Sequence, residues 1–127
     1  MTIALRPGLA TALSFDVGEA DTAMAVGSGS LAVLGTPRLI AWLEAATCAA
    51  VAPALEPGRT TVGTRIDVSH DAPSPVGAAV SVSATLTVVD GRLLTFDVTA
   101  ASNDAVLARG EITRAVVDAE RFMARLG

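Results

Sequence analysis

Three stretches after residue 60 alternate apolar and polar side chains with a period of two, and this alternation leaves few folds open to the chain. In TVGTRIDVSH, Val62, Thr64, Ile66, Val68 and His70 fall on one face, with Arg65, Asp67 and Ser69 on the other. AAVSVSATLTVVD sets Val80, Val82, Ala84, Leu86 and Val88 against Ser81, Ser83, Thr85 and Thr87. RLLTFDVTAAS does the same with Leu94, Phe96, Val98 and Ala100, and AVLARGEITRAVV reads as a fourth long strand. Asp90-Gly91 and Asn103-Asp104 are hairpin-turn signals. The two prolines of DAPSPVG demand a longer connection between the first two strands. Strands in succession with short turns imply an antiparallel sheet.

The one substantial helix falls at residues 37–52, PRLIAWLEAATCAAVA. Thr36 suits the N-cap, Pro37 suits the first helical position, and Pro53 and Pro57-Gly58 stop the run. Only Arg38 and Glu44 are charged along it, so the helix is expected to be enclosed by other structure. Upstream, LSFDVGEADTAMAV reads as one or two strands, and Gly27-Ser28-Gly29-Ser30 as a flexible loop. Asp118 is placed to cap a short final helix, AERFMARL. The expected architecture is α+β: a hotdog fold, with an antiparallel sheet of five or six strands wrapped around one long core helix. At 127 residues the chain supports one domain, spanning 1–127.

Composition excludes several function classes. The net charge is −4, all nine basic residues are Arg, and no basic run exists to meet nucleic-acid phosphates. No stretch approaches the roughly 20 apolar residues of a membrane span. The N-terminal MTIALRPGLATALSFD breaks its apolar stretch at Pro7-Gly8 and lacks the core of a secretory signal, so a cytoplasmic location is expected. Cys48 is the sole cysteine and His70 the sole histidine, so neither a disulfide nor an ordinary zinc site is expected, and no other cofactor.

Three residues stand out for chemistry. Glu44 lies mid-helix on a stripe with Ile40, Cys48 and Val51; enclosure there would disfavour its charged form and suit it to acid–base work. The competing reading is a wet-edge Glu or a structural partner of an Arg. His70 ends its strand on the inward parity, either as a structural residue or as the only imidazole available for acid–base chemistry. Thr36 would ordinarily just cap the helix, yet it also sets a hydroxyl beside amides that attract developing negative charge. Cys48, on an Ala-rich helix, is expected to be buried and inert. No Gly-x-Ser-x-Gly elbow, phosphate loop or dinucleotide fingerprint is present.

TPRLIAWLEAATCAAVAPALEPG, then TVGTRIDVSHDAPSPVG and VDGRLLTFDVTAA, resemble the hotdog thioesterases related to fluoroacetyl-CoA thioesterase. That family carries a Thr at the start of the core helix, a Glu eight residues later and a His after the next strand, matched by Thr36, Glu44 and His70. Gly63 matches a strand glycine and Arg114 an arginine on the last strand. The resemblance implies hydrolysis of an acyl-CoA or related thioester in a homodimer whose sites lie at the subunit boundary. Glu44 and His70 would form the acid–base pair, and Thr36 would be nucleophile or hydrogen-bond partner. Gly63 and Arg114 would contact substrate, Gly63 near the oxyanion, Arg114 at either the CoA phosphates or Glu44. Fluoroacetyl-specific members carry aromatic residues before the Thr as a lid over the acyl group; Gly27-Ser28-Gly29-Ser30-Leu31 has none, which points to another small acyl group. A hotdog dehydratase and a non-catalytic CoA- or small-ligand-binding protein are the alternatives.

Overall fold

The computed structural model describes residues 3–127. Five strands, β1 (Ala10–Asp16), β2 (Arg59–His70), β3 (Ala79–Asp90), β4 (Leu93–Ser102) and β5 (Ala105–Asp118), form one antiparallel sheet in the order β1-β3-β4-β5-β2. Two of the helices are short, α1 (Ala23–Val26) and α3 (Ala119–Ala124); the long α2 spans Thr36–Val51. The proline-bearing segment 71–78 explains the order, because it carries the chain from the β2 edge across to β3 instead of closing a hairpin. β2 then pairs with β5, leaving its outer edge unpaired among the described residues.

Both turn signals close two-residue hairpins. Asp90 pairs with Leu93 around Gly91 at φ +60°, and Ser102 pairs with Ala105 around Asn103 and Asp104, at φ +50° and +64°. Positive φ at the turn residues suits the right-handed twist of the flanking strands.

The core lies between the sheet and one side of α2. Leu39, Trp42, Leu43, Ala46, Thr47, Ala50 and Val51 line the buried stripe of the helix. Val80, Val82, Ala84, Leu86, Leu94, Phe96, Val98, Ala100 and Ile112 meet it from the sheet. Phe15 of β1 stacks on Trp42, with centroids 4.7 Å apart and planes within 3°. The inward sets read for β3 and β4 hold through Leu86 and Ala100, but Val88 is exposed. A bulge between Leu86 and Val88 inverts the alternation and turns Val89 toward the core instead.

A second bulge matters more. In β2 the register slips between Gly63 and Arg65, with Thr64 as the extra residue. Ile66, Val68 and His70 therefore keep the inward parity, whereas Val62 and Thr64 do not share it. On the N-terminal side of the bulge it is Arg59, Thr61 and Gly63 that face the helix, and Thr61 is buried.

The segment LSFDVGEADTAMAV holds one strand, not two. After β1 the chain makes a 3₁₀ turn at Glu19–Asp21 and enters α1. Local capping outweighs the short alternation there: Thr22 Oγ1 accepts from the Ala25 amide at 3.2 Å, and Asp21 Oδ2 accepts from the Gly18 amide at 2.9 Å. At the other end, Asp118 caps α3 by accepting from the Arg121 amide at 2.9 Å.

Helix α2 is enclosed on one side only. Ala41 and Cys48 are exposed, and Ile40, Glu44 and Ala45 are half-buried. The expected buried Cys48 is thus corrected: its position on α2 points away from the single sheet that covers the helix.

Candidate active site

The start of α2 differs from the sequence expectation in an informative way. Gly35 is the N-cap and Thr36 the first helical residue, and the Thr36 side chain caps no backbone amide. Its hydroxyl goes instead to the end of β2, where Thr36 Oγ1 and His70 Nδ1 are hydrogen-bonded at 2.7 Å. The opposite ring nitrogen, His70 Nε2, is buried and finds no partner among the described residues.

This pair opens on a cavity of about 300 Å³, with apolar walls from Ala23, Val33, Leu34, Ala72 and Pro73 and polar edges from Ser28 and Asp71. Among the described residues no aromatic side chain lines it.

Glu44 belongs to a second group, eight residues further along the helix, a rise of roughly 12 Å at 1.5 Å per residue. Its side chain is 35% exposed and accepts from Arg114 Nη1 at 2.9 Å, so of the two readings the sequence left open it is the wet-edge, Arg-paired Glu that forms. The half-covered helix leaves one wet edge, and an arginine on β5 reaches it. Arg114 itself is 7% exposed and spends its other two nitrogens on Thr61, with Nε donating to Oγ1 at 2.8 Å and Nη2 to the carbonyl at 2.9 Å. Such forked binding fixes the guanidinium plane, which in turn fixes the carboxylate.

Gly63 completes this group by what it lacks. A Cβ there would stand 2.7 Å from Glu44 Oε2, so the carboxylate occupies the space that only glycine leaves free.

Within one chain, then, Thr36 meets His70, and Glu44 meets Arg114, Thr61 and Gly63. The two groups share no hydrogen bond among the described residues. Thr61 went unnoticed in the sequence because strict alternation placed it on the outer face; a glycine two residues on, inside a strand pattern, was the available sign of a bulge. Among the described residues no cluster of three His, Cys, Asp or Glu side chains is arranged for a metal, and no helix is long and apolar enough to cross a membrane.

A long helix held against a five-stranded antiparallel sheet, with a Thr–His pair at the helix start and an Arg-anchored Glu two turns on, defines a hotdog-fold protein of the thioesterase type. A hot-dog-like protein from Thermanaerovibrio acidaminovorans shares the fold at a TM-score of 0.85 and 23% identity, covering 94% of this chain and 89% of that one. A solved fluoroacetyl-CoA thioesterase superimposes with a TM-score of 0.92 at 32% identity, covering 98% of this chain and 96% of that one. In sequence, a fluoroacetyl-CoA thioesterase from Streptantibioticus cattleyicolor is 38% identical over 94 residues, 74% of this chain and 68% of that protein. Residues 17–120 match the family described as fluoroacetyl-CoA-specific thioesterase, and the chain belongs to that family.

Proposed function

We propose that this protein is a cytoplasmic acyl-CoA thioesterase, a single hotdog domain that acts as a homodimer on a small acyl group. The observation that carries the reading is the 2.7 Å hydrogen bond between Thr36 Oγ1 and His70 Nδ1 at the mouth of an apolar-walled cavity. A hydroxyl held against an imidazole is the arrangement of a nucleophile and its base. It favours Thr36 as nucleophile over Thr36 as hydrogen-bond partner of Glu44.

With the His70 proton on Nε2, Nδ1 accepts the Thr36 proton as the oxygen attacks the thioester carbonyl. The tetrahedral oxyanion is held by amides at the start of α2, where the first-turn N–H groups have no partner within the helix. Collapse breaks the C–S bond, and the departing sulfur takes the proton from His70. Water then cleaves the acyl–Thr36 ester: Glu44 accepts its proton and passes it to the departing Thr36 Oγ, which releases the free acid and leaves Glu44, His70 and the Thr36 hydroxyl as they began.

For Glu44 to serve the ester it must come close to Thr36, and in one chain it is about two helical turns away. A second copy related by a two-fold axis supplies it. The unpaired β2 edge and the uncovered side of α2, with Ala41 and Cys48 exposed, support such a partner. Thr36 and His70 of one subunit then face Glu44 of the partner subunit.

A panel of acyl-CoA thioesters, with released thiol measured for the wild type and for Glu44→Gln and His70→Ala, tests the reading. Thiol release lost in both variants is expected. Unchanged release in either variant removes its proposed role, an α,β-unsaturated product without free thiol indicates a dehydratase, and ligand-induced thermal stabilisation without turnover indicates a binding protein. With no aromatic side chain among the described residues around the cavity, turnover of acyl groups larger than acetyl is expected.

A further inference from the structure

Folding gathers four arginines that the sequence scatters. Arg59 at the start of β2, Arg92 in the β3–β4 hairpin, and Arg121 and Arg125 at α3 surround a cavity of about 220 Å³, joined by Phe122 and Asp118. None of the four forms an ion pair among the described residues, whereas Arg38, Arg65 and Arg114 are all paired. In a chain of net charge −4, four of nine arginines therefore converge on one hollow with a single lining carboxylate. Like charges gathered without partners repel, and the favourable complement is an anion.

We infer that this hollow binds the phosphorylated nucleotide end of the thioester substrate, an assignment that rests on the acyl-CoA reading above. Guanidinium groups match phosphate oxygens bidentately, and the exposed face of Phe122 offers a stacking surface for a purine base.

The position fits the reach of the carrier. Arg59 lies on the same face of β2 as Thr61 and Gly63, and Glu44 Oε2 sits directly over Gly63. Gly63 lies four steps along the strand from Arg59, a distance of about 13 Å. The arm of CoA between sulfur and the first phosphorus is an amide-bearing chain of about thirteen bonds. At the ~3.5 Å per three bonds of an extended peptide it reaches roughly 15 Å. Phosphates held at Arg59 thus bring the sulfur to the level of the Glu44 carboxylate. Arg114 is not available for this work, being buried and committed to Glu44 and Thr61.

The test compares one acyl group on CoA and on pantetheine, which lacks the phosphates, with wild type and an Arg121→Ala/Arg125→Ala variant. Both side chains are exposed on α3, so the core is untouched. The expected result is a KM for the acyl-CoA raised about tenfold or more, the scale of one lost charge-assisted contact, with kcat and the acyl-pantetheine KM unchanged. Equal effects on both thioesters, or none on the acyl-CoA, overturn the assignment. Calorimetry with adenosine 3′,5′-bisphosphate supplies a readout independent of turnover. Binding that the variant loses, and that competes with acyl-CoA, supports the site. Binding without competition marks a separate phosphorylated effector and overturns the link to substrate. If the wild type cleaves neither thioester yet binds the bisphosphate at these arginines, the hydrolase reading fails while the anion site stands.

Discussion

Substituting Gly63 by alanine isolates the position of the Glu44 carboxylate from the stability of the fold. The new Cβ would lie 2.7 Å from Glu44 Oε2 and 3.5 Å from Arg114 Nη1. To restore ordinary contact at 3.4 Å the carboxylate must retreat by about 0.7 Å. It can do so cheaply, because it is the tip of a flexible side chain that is 35% exposed. The cost is a weakened, partly solvated ion pair of at most about 1 kcal/mol, offset by the reduced freedom of the unfolded chain when Gly becomes Ala. The melting temperature should therefore stay within roughly 4 °C of the wild type. Catalysis should not be so tolerant: displacing a reacting group by close to 1 Å costs on the order of 10²-fold in kcat/KM. Thermal melts and thiol-release kinetics on the same preparations give both numbers. A folded Gly63→Ala variant with activity within about threefold of wild type would refute the idea that Glu44 works from this position, since a loss of about 10²-fold is expected.

Thr36→Ala should lose about 10²-fold or more in kcat while changing stability by less than about 0.5 kcal/mol, because the hydroxyl caps no amide; denaturant unfolding showing a loss near 1 kcal/mol would restore the capping role. Arg114→Met strands Glu44 and the Thr61 carbonyl and should cost roughly 2 kcal/mol together with most activity, whereas Arg114→Lys, reaching fewer of the three acceptors, should recover part of each. Phe96→Ala, at a fully buried position, should destabilise by about 3–5 kcal/mol in the same unfolding assay. Sedimentation should give twice the 12.8 kDa chain mass, and a monomer at assay concentration would contradict a shared site.

Much of the fold was legible because alternation and turn chemistry agree. Leu94, Phe96, Val98 and Ala100 are buried as read; the Asn103-Asp104 hairpin sits where its turn residues put it, and the other turns one residue on, at Gly91-Arg92. What escaped depends on non-local geometry. The bulge at Thr64 inverts the face of β2, so Thr61 and Gly63, which the alternation turned outward, end up beneath the helix. The order of strands hid as well, since only the sheet reveals that β2 pairs with β5. Among the candidate site residues, Thr36, Glu44 and His70 stand out by type and place in the sequence, while Gly63 and Arg114 enter only through the family resemblance. Their division into two hydrogen-bonded groups is not legible there, because it depends on which ends of α2 and β2 meet and on Arg114 reaching across from β5. The arginine hollow is the clearest case: Arg59, Arg92, Arg121 and Arg125 are up to 66 positions apart in the chain. Compositional reading saw no basic run, and only the meeting of β2, the β3–β4 hairpin and α3 makes one.

The central claim is that a thioester is cleaved between Thr36 and His70 of one subunit and Glu44 of the partner subunit. Mixing two inactive variants, His70→Ala and Glu44→Gln, and allowing subunits to exchange tests it most directly. Each mixed dimer then carries one site with all three residues intact, and two-fold symmetry with random exchange predicts recovery of about a quarter of wild-type thiol release. No recovery from subunits shown to have exchanged would place the whole site within a single chain and contradict the account.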